Sequence, residues 1–339
     1  MKRTQSRTSA RNQLGQMIMG GWVAQMISVC ARLNIADHLK DGPLSALDLA
    51  KLTEVDEEAL YRTLRALTAS GLFYKDEKGR FGLTDCGYYL QSDVEGSAQA
   101  MAAMTGDPSH WLPWGKAFDA VKTGKPVGED VFGSSIWDYL SQSQNKDQLE
   151  RFNQAMTQSS LHITRIIADA YDFSRHTTLV DIGGGQGGLL SGILGAFPAL
   201  NGILFDLPQV LESIQDSDWR KDTRMSLVAG SFLESVPAGA DAYIMKHIIH
   251  DWGDADCIKI LENIREEIAD NGSLLIAETV LDGNSGHFAN WLDLNMMVIL
   301  GGKERTVEEY DQLLAGADFK LVQVIQTGSH ISLLQGKPV

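Results

Sequence analysis

The feature that most constrains the fold is a glycine-rich turn between an apolar strand and a helix. Residues 179–188 read Leu-Val-Asp-Ile-Gly-Gly-Gly-Gln-Gly-Gly, and the apolar stretch 189–194 follows. Glycine allows positive φ angles and lacks the Cβ that would keep a ligand off the backbone, and the helix N-terminus offers unpaired N–H groups. Gly183, Gly185 and Gly188 also fit the dinucleotide pattern G-x-G-x-x-G. We interpret the turn as a nucleoside-binding loop, with a tight turn that binds nothing as the alternative.

The carboxylate of Asp181 narrows the choice of ligand. Asp181 stands where the strand ends, beside the expected ligand. Its negative charge would repel a pyrophosphate group lying against the glycines. A cofactor with a cationic or amino-acid end suits this position better, which makes a nicotinamide oxidoreductase the less favoured interpretation.

Strands and helices alternate from Thr177 onward, a pattern that predicts an α/β fold. The strand candidates are 178–182, 202–206, 225–229, 241–246 and 273–278. Because helical stretches separate most of them, we expect a doubly wound, Rossmann-like parallel sheet.

The end of the chain departs from this alternation. A helix over 309–314 closes at Gly316, and two strand candidates, 320–326 and 330–334, are joined by only Thr327-Gly328-Ser329. So short a connection predicts an antiparallel C-terminal hairpin at the sheet edge.

Residues 31–90 have the pattern of a winged helix. Ser45–Asp48 forms a capping box ahead of one helix, and Asp56 caps a second helix whose leucines recur at helical spacing. Two short apolar strands, 73–74 and 81–83, flank a polar turn and form the wing.

A winged helix often binds DNA, so a non-enzymatic regulator is one alternative. Between residues 30 and 90, however, eight Lys or Arg stand against ten Asp or Glu, and the whole chain carries a formal charge of −15. A protein that binds a phosphate backbone or an anionic membrane needs a basic face. We therefore predict packing or dimerisation for this segment, and no nucleic-acid or membrane partner.

Two further stretches are mainly helical. Residues 12–36 are typical of a helix that is apolar on most faces, which favours burial in a homodimer interface over a self-contained core helix. Residues 97–170 are rich in aromatic side chains and immediately precede the nucleotide-binding fold. A flat substrate could be held there, between domains.

Cysteine content and the absence of targeting patterns predict the cellular compartment of the protein. The three cysteines, Cys30, Cys86 and Cys257, lie far apart and lack C-x-x-C spacing, which argues against disulfides and a zinc site. No stretch has the pattern of a secretory signal or a spanning helix. These features favour the cytoplasm.

The next two strands also end in polar groups. Asp206 ends the second strand about 20 residues past the glycines, where a carboxylate accepts hydrogen bonds from ribose hydroxyls. A surface helix cap is the alternative. Gly230, Ser231 and Phe232 follow the third strand, where the base would lie.

A histidine and two carboxylates follow later strands. His250 lies just past the fourth strand, and an imidazole with a pKa of about 6.5 suits a general base. Glu278 ends the fifth strand and Glu304 lies in a glycine turn, so either could fix the His tautomer that leaves Nε2 free. A structural histidine and a surface ion pair are the alternatives.

Five motifs in this order resemble the S-adenosylmethionine-dependent O-methyltransferases of the caffeic-acid and hydroxyindole type. They are Asp-Ile-Gly-Gly-Gly-Gln-Gly at 181–187, Phe-Asp-Leu-Pro at 205–208, Lys-His-Ile-Ile-His-Asp-Trp at 246–252, Ala-Glu-Thr at 277–279 and Gly-Gly-Lys-Glu-Arg-Thr at 301–306. The resemblance extends through the winged helix and Phe-Asn-Gln-Ala-Met at 152–156, and is greatest to bacterial enzymes that methylate phenazines, anthracyclines and mitomycin-type quinones.

The resemblance implies the cofactor S-adenosylmethionine, the product S-adenosylhomocysteine and no metal. It implies that Gly183 and Gly185 flank the methionine part of the cofactor, that Asp206 binds the ribose, and that Leu207 lies beside the adenine. Lys246 matches a lysine that contacts the cofactor.

One cofactor position departs from the family pattern. Many relatives carry an aspartate at the position of Ser231, where it accepts a hydrogen bond from the adenine amino group. A serine accepts more weakly than a carboxylate.

His250 matches the catalytic base, and Glu278 and Glu304 match the carboxylates that flank it. We thus expect methyl transfer to a phenolic hydroxyl of a small aromatic natural product, with methylation of a ring nitrogen as the alternative. The candidate acceptor pocket consists of Trp111, Phe152, Asn153, Met156, Asn295 and Met296.

These features predict three domains. Residues 12–96 form a winged-helix dimerisation domain, and residues 97–170 a helical connector with the substrate-pocket helices. Residues 171–339 form the cofactor-binding catalytic domain.

Overall fold

A computed structural model describes residues 7–212, 214, 222–282 and 286–339. The chain divides into two compact units. The first runs up to Trp111 and includes Asp147–Ser159, and the second comprises Leu112–Lys146 and Ser160–Val339. The predicted three-domain boundaries stay a prediction.

The first part of the chain is helical apart from one small hairpin. Its elements are α1 (Arg7–Ile18), α2 (Gly20–Arg32), α3 (Ile35–His38), α4 (Ala46–Thr53), α5 (Glu57–Ala69), β1 (Phe73–Lys75), β2 (Phe81–Leu83), α6 (Asp85–Tyr88), α7 (Gln99–Thr105) and α8 (Pro108–Trp114). The strands β1 and β2 pair antiparallel, which confirms the predicted wing.

Local capping sets the ends of the winged-helix elements. The Ser45 side chain accepts from the Asp48 N–H, and the Asp56 side chain accepts from the Ala59 N–H, as their positions predict. The Asp48 carboxylate accepts from the Ser45 hydroxyl at 2.6 Å. This bond joins the two side chains and does not reach the Ser45 backbone N–H, so the structure shows the N-cap and not the full predicted capping box.

The apolar stretch 12–36 forms separate helices, so its interpretation as one helix is wrong. The first break falls at Met19, and the second includes Asn34, which has a left-handed φ of 50°. Asparagine tolerates this conformation because its short side chain bonds locally. In the described residues no single helix is long and apolar enough to cross a membrane, although the bent pair Ser9–Ile18 and Gly20–Arg32 would be by length and composition alone.

Helices then follow one another up to residue 170. They are α9 (Ala117–Thr123), α10 (Gly128–Phe132), α11 (Ile136–Ser141) and α12 (Lys146–Ala170). This confirms the helical interpretation of 97–170.

The remaining elements build a mixed sheet with its helices. They are β3 (Thr178–Ile182), α13 (Gly188–Ala196), β4 (Asn201–Asp206), α14 (Pro208–Glu212), β5 (Met225–Ala229), β6 (Ala242–Lys246), α15 (Asp254–Glu267), β7 (Ser273–Leu281), α16 (His287–Ile299), β8 (Arg305–Thr306), α17 (Val307–Gly316), β9 (Phe319–Gln326) and β10 (Ile331–Pro338). Short 3₁₀ turns lie at Ser143–Asn145, Phe173–Arg175 and Ile249–Asp251.

The strand order is β5-β4-β3-β6-β7-β10-β9, and β8 pairs with β7. The pairings among β3 to β7 are parallel, whereas β10 is antiparallel to both β7 and β9. The predicted Rossmann-like sheet and its C-terminal hairpin are confirmed. Apolar clusters cover the sheet, with Leu190 and Ile193 of α13 in one cluster and Ile260 and Ile264 of α15 in another.

This topology determines where the polar residues meet. Asp181, Asp206, Lys246 and Glu278 lie at or near the carboxyl ends of β3, β4, β6 and β7. In a parallel arrangement these ends share one edge of the sheet, where ligands of such folds bind.

Candidate active site

The glycine turn leaves open space beside its backbone. Gly183 and Gly185 have φ angles of 64° and 58°, a left-handed conformation that favours glycine. A Cβ added to Gly183 would lie 2.6 Å from Cδ1 of Ile248, whereas one added to Gly185 would meet nothing within 4 Å. Helix α13 begins at Gly188 immediately after the turn. The space at Gly185 fits a ligand that lies against the backbone.

Asp206 links the second strand to this turn. Its Oδ2 accepts from the Gly185 N–H at 2.8 Å, and its Oδ1 accepts from the Leu207 N–H at 2.7 Å. Burial raises the pKa of Asp206, although these two hydrogen bonds act in the opposite direction. Each carboxylate oxygen keeps a second lone pair, so the group retains acceptor capacity for the two hydroxyls of a ribose.

Asp181 is buried, and the half-buried Lys246 at the end of β6 carries the opposite charge near it. Burial raises the pKa of Asp181 to about 7, with Lys246 opposing this shift and Asp206 adding to it. Burial lowers the pKa of Lys246, and the nearby Asp181 and Glu278 partly restore it. Among the described residues Oδ2 of Asp181 has no hydrogen-bond partner. An unpartnered buried carboxylate oxygen fits a cofactor with an ammonium or other cationic group.

The third strand places its polar end beside Asp206. Ala229 of β5 lies opposite Asp206 in the sheet, and the Gly230 N–H donates to the Asp206 carbonyl at 3.1 Å. The Ser231 hydroxyl accepts from the Leu233 N–H at 3.3 Å and keeps its own proton to donate. The Phe232 ring packs edge-on against Trp252, with ring centroids 5.8 Å apart.

His250 lies in the 3₁₀ turn after β6, among carboxylates from other parts of the chain. Its Nδ1 is 2.7 Å from Oε1 of Glu304 and 3.6 Å from Oε2 of Glu278. Oε1 of Glu278 accepts from the backbone N–H of Ile248 at 3.0 Å, which fixes that carboxylate under the turn. A hydrogen bond to Glu304 requires the proton on Nδ1 and leaves Nε2 as the acceptor in the neutral ring.

The carboxylates determine the charge of this cluster. Burial alone would lower the pKa of His250, but Glu278, Asp251 and the hydrogen bond to Glu304 outweigh burial and raise the pKa to about 10. Burial raises the pKa of Glu278 to about 7, while His250 opposes that shift. The surrounding carboxylates therefore favour the imidazolium form of His250 over the neutral ring.

Two neighbours of His250, Asp251 and His247, are not among the predicted site residues. Oδ1 of Asp251 lies 3.4 Å from Nε2 of His250, on the nitrogen expected to face the acceptor. The ring of His247 stacks on that of His250 with centroids 5.1 Å apart, and His247 has a positive φ of 55°. The sequence offered only their nearness to His250 as a signal.

The acceptor-pocket candidates fall into both units. Trp111, Phe152, Asn153 and Met156 lie in the first, where Phe152 and Met156 pack against the apolar cluster of Ala100, Met104 and Ala155. Asn295 and Met296 lie on α16 in the second. Nε1 of Trp114 donates to Oδ1 of Asn295 at 2.8 Å, which fixes the orientation of the amide. A common pocket for all six candidates stays a prediction.

Comparisons with known proteins identify the family of this chain. The sequence pattern of the O-methyltransferase domain matches residues 114–320, and that of the O-methyltransferase dimerisation domain matches residues 16–93. Phenazine O-methyltransferase PhzM of Lysobacter antibioticus is 38% identical over 327 residues, which cover 96% of this chain and 95% of that protein.

Two further relatives extend the comparison to other acceptors. The 8-amino-8-demethylriboflavin N,N-dimethyltransferase of Streptomyces davaonensis is 32% identical over 310 residues, covering 90% of this chain and 89% of that protein. The crystal structure of the O-methyltransferase NcsB1 from neocarzinostatin biosynthesis, in complex with S-adenosylmethionine and 2-hydroxy-5-methyl naphthoic acid, has a TM-score of 0.79 at 29% identity and covers 93% of this chain and 96% of that one. The chain therefore belongs to the S-adenosylmethionine-dependent O-methyltransferases of natural-product biosynthesis, with the dimerisation domain of that family at its N-terminal end.

Proposed function

We propose that the protein methylates a phenolic hydroxyl of a small aromatic natural product, with His250 as the general base. The 2.7 Å contact between Nδ1 of His250 and Oε1 of Glu304 carries this proposal, because it favours a proton on Nδ1 and so leaves Nε2 of the neutral ring able to accept the phenol proton. A phenol with a pKa of about 10 is mostly protonated at neutral pH and is a poor nucleophile until the proton leaves. Glu278 stabilises the imidazolium that forms.

The cofactor residues bind and orient the donor. We assign the amino-acid end to Asp181, Gly183, Gly185 and Lys246, the ribose to Asp206, and the adenine to Leu207, Gly230, Ser231 and Phe232. Bound S-adenosylmethionine supplies a methyl group on a positively charged sulfur. The turn and the carboxylates align donor and acceptor, which can remove several kcal/mol of the barrier.

The raised pKa of His250 makes the proposed reaction depend on pH. The imidazole must lose its extra proton before it can accept one from the phenol. A positive charge brought into the pocket disfavours the imidazolium, so we expect the pKa of His250 to fall when the cofactor binds. Below that lowered pKa the base is protonated, and the rate rises with pH until His250 is neutral.

We also propose that the reaction needs no metal. The ligand atoms of His250, Glu278 and Glu304 lie within 4.8 Å of one another, a spacing that a metal ion could also use. Dialysis against a chelator is expected to leave turnover unchanged within about twofold, since the methyl donor is already activated. A loss of turnover that a divalent ion restores would contradict this proposal.

Methylation of nitrogen is a second candidate because the relative from Streptomyces davaonensis is an N,N-dimethyltransferase. The test incubates the protein with cofactor labelled with ¹³C in the methyl group and a panel of phenols, phenazines, quinones and aromatic amines. NMR of the products locates the labelled methyl. Label on oxygen supports the proposal, and label on nitrogen alone overturns it.

We propose a homodimer formed through the N-terminal domain. Ile18 and Trp22 are 74% and 73% exposed, and both lie within the matched dimerisation region. Large apolar side chains in one exposed region are typical of an interface. The paired substitutions Ile18→Asp and Trp22→Asp are expected to convert the dimer to a monomer in sedimentation experiments.

The matched control is Val322→Asp, which changes an apolar side chain that is 47% exposed on β9. It is expected to leave the dimer intact. A dimer that survives the paired substitutions would place the interface elsewhere.

A further inference from the structure

Arg305 is a fully buried arginine directly behind the turn that carries His250. Its side chain is 0% exposed, and its Nη1 and Nη2 donate to the carbonyls of Ile249 and Trp252, each at 2.9 Å. Nε and Nη2 also donate to Oδ1 of Asp254, at 3.1 and 2.8 Å. The guanidinium thus bridges the backbone on both sides of His250 and Asp251.

The planar fork of arginine is suited to this position. Its five N–H donors have fixed directions, so it binds the carbonyls of Ile249, Trp252 and Lys303 and the Asp254 carboxylate at once, which the three donors of a lysine ammonium cannot match. Nη2 also lies 3.4 Å from Sγ of Cys257. Burying a charged group is costly unless its hydrogen bonds are satisfied, so the site requires this set of partners.

The short segment 302–305 contacts both the ring and the backbone around His250. Glu304 precedes Arg305 and contacts Nδ1 of the imidazole, whereas Arg305 holds the carbonyls on either side. Gly302 packs so tightly against the turn that an added Cβ would lie 1.9 Å from the carbonyl oxygen of His250. The position of the imidazole is therefore defined from two directions.

We propose that Arg305 is a positioning residue for methyl transfer: by fixing the backbone on both sides of His250, it keeps Nδ1 on Glu304 and Nε2 directed toward the acceptor. This inference rests on the proposed role of His250 as the base. If Arg305 instead served only folding, its loss would lower stability without a selective effect on the chemical step.

The test uses two separate single variants, Arg305→Lys and Asp254→Asn. Asp254 has a side chain that is 56% exposed, so its substitution weakens the anchoring of the guanidinium without opening a cavity. Lys303→Gln is the matched control: it removes Nζ, which lies 3.4 Å from the other oxygen of Asp254, and it keeps the backbone carbonyl that accepts from Nη1 of Arg305 at 3.3 Å.

A small displacement of a catalytic group can cost up to about 100-fold in rate. We expect kcat to fall about tenfold or more in Arg305→Lys and severalfold in Asp254→Asn. The KM for the cofactor and the affinity for S-adenosylhomocysteine should stay within about twofold of the parent protein, and Lys303→Gln should keep the parent kcat. An unchanged kcat in both variants, or equal losses in kcat and in affinity, would overturn the proposal. If Arg305→Lys does not fold, the same criteria apply to Asp254→Asn.

A double-mutant cycle separates this inference from the proposed function. In a His250→Gln background, Asp254→Asn should have no further effect on residual turnover, because both changes act through the same imidazole. If His250→Gln alone loses no activity, the assignment of His250 as the general base is wrong. If His250→Gln loses activity and Asp254→Asn still lowers it by its full factor, only the positioning role of Arg305 is wrong.

Discussion

Replacing His250 with glutamine is expected to lower turnover by about 100-fold or more, because a general base contributes about 10²- to 10⁴-fold. Glutamine has similar reach but cannot take a proton at neutral pH. The affinity for S-adenosylhomocysteine, measured by calorimetry, should stay close to that of the parent protein because no cofactor contact is assigned to His250. Full turnover in this variant would exclude the imidazole as the base.

The pH profile gives a second signature of the same variant. In the parent protein kcat/KM for the acceptor, measured at saturating cofactor, should rise with pH and level off once His250 is neutral. This rise of kcat/KM with pH should disappear in His250→Gln. The matched control is His176→Gln, which removes a histidine of the same unit that bonds the Tyr171 hydroxyl at 2.9 Å, away from the site. The His176→Gln variant should keep both the rise of kcat/KM with pH and the turnover of the parent protein.

Replacing Asp206 with asparagine is expected to weaken cofactor binding by about tenfold to 100-fold, with a smaller effect on kcat at saturating cofactor. The Asp206 carboxylate accepts from the N–H groups of Gly185 and Leu207, and we assign the ribose hydroxyls to the same two oxygens. Asparagine retains only one acceptor oxygen. Hydrogen bonds to charged groups contribute about 1.5–3 kcal/mol each, which corresponds to this loss of affinity.

Asp241→Asn is the matched control for this change. Asp241 also accepts from backbone N–H groups, those of Thr177 and Thr178, but it lies beside the amino ends of β3 and β6, at the opposite edge of the sheet. Its substitution should lower the midpoint of thermal unfolding and leave the affinity for S-adenosylhomocysteine unchanged. If Asp206→Asn binds S-adenosylhomocysteine as tightly as the parent protein, the ribose is bound elsewhere.

The sheet could be predicted because its strands are short apolar runs that end in distinctive residues. The predicted strands 178–182 and 225–229 match β3 and β5 residue for residue. The strand β8 was missed because it has only two residues, which are held by pairing with β7. The capping box of Thr306 and Glu309 was missed as well, although T-x-x-E is the expected signal.

Only those site residues could be predicted that the sequence marks by their position, such as the end of a strand. The ends of parallel strands bring Asp206 and Glu278 to one edge, and sequence order is enough to infer that. The contact of Asp251 with Nε2 of His250 depends on how the chain turns after β6, and the bridge from Arg305 depends on where β8 packs. Neither follows from a periodic pattern, because both are set by tertiary packing.

The most direct test of His250 as the base compares two acceptors in the parent protein and in His250→Gln. One is an ordinary phenol, and the other is the same compound made acidic enough by an electron-withdrawing substituent to be ionised at the assay pH. Single-turnover rates are measured at saturating cofactor. We expect the variant to lose about 100-fold or more with the ordinary phenol and much less with the ionised one, since the latter has no proton to remove. Equal losses with both acceptors would contradict the account.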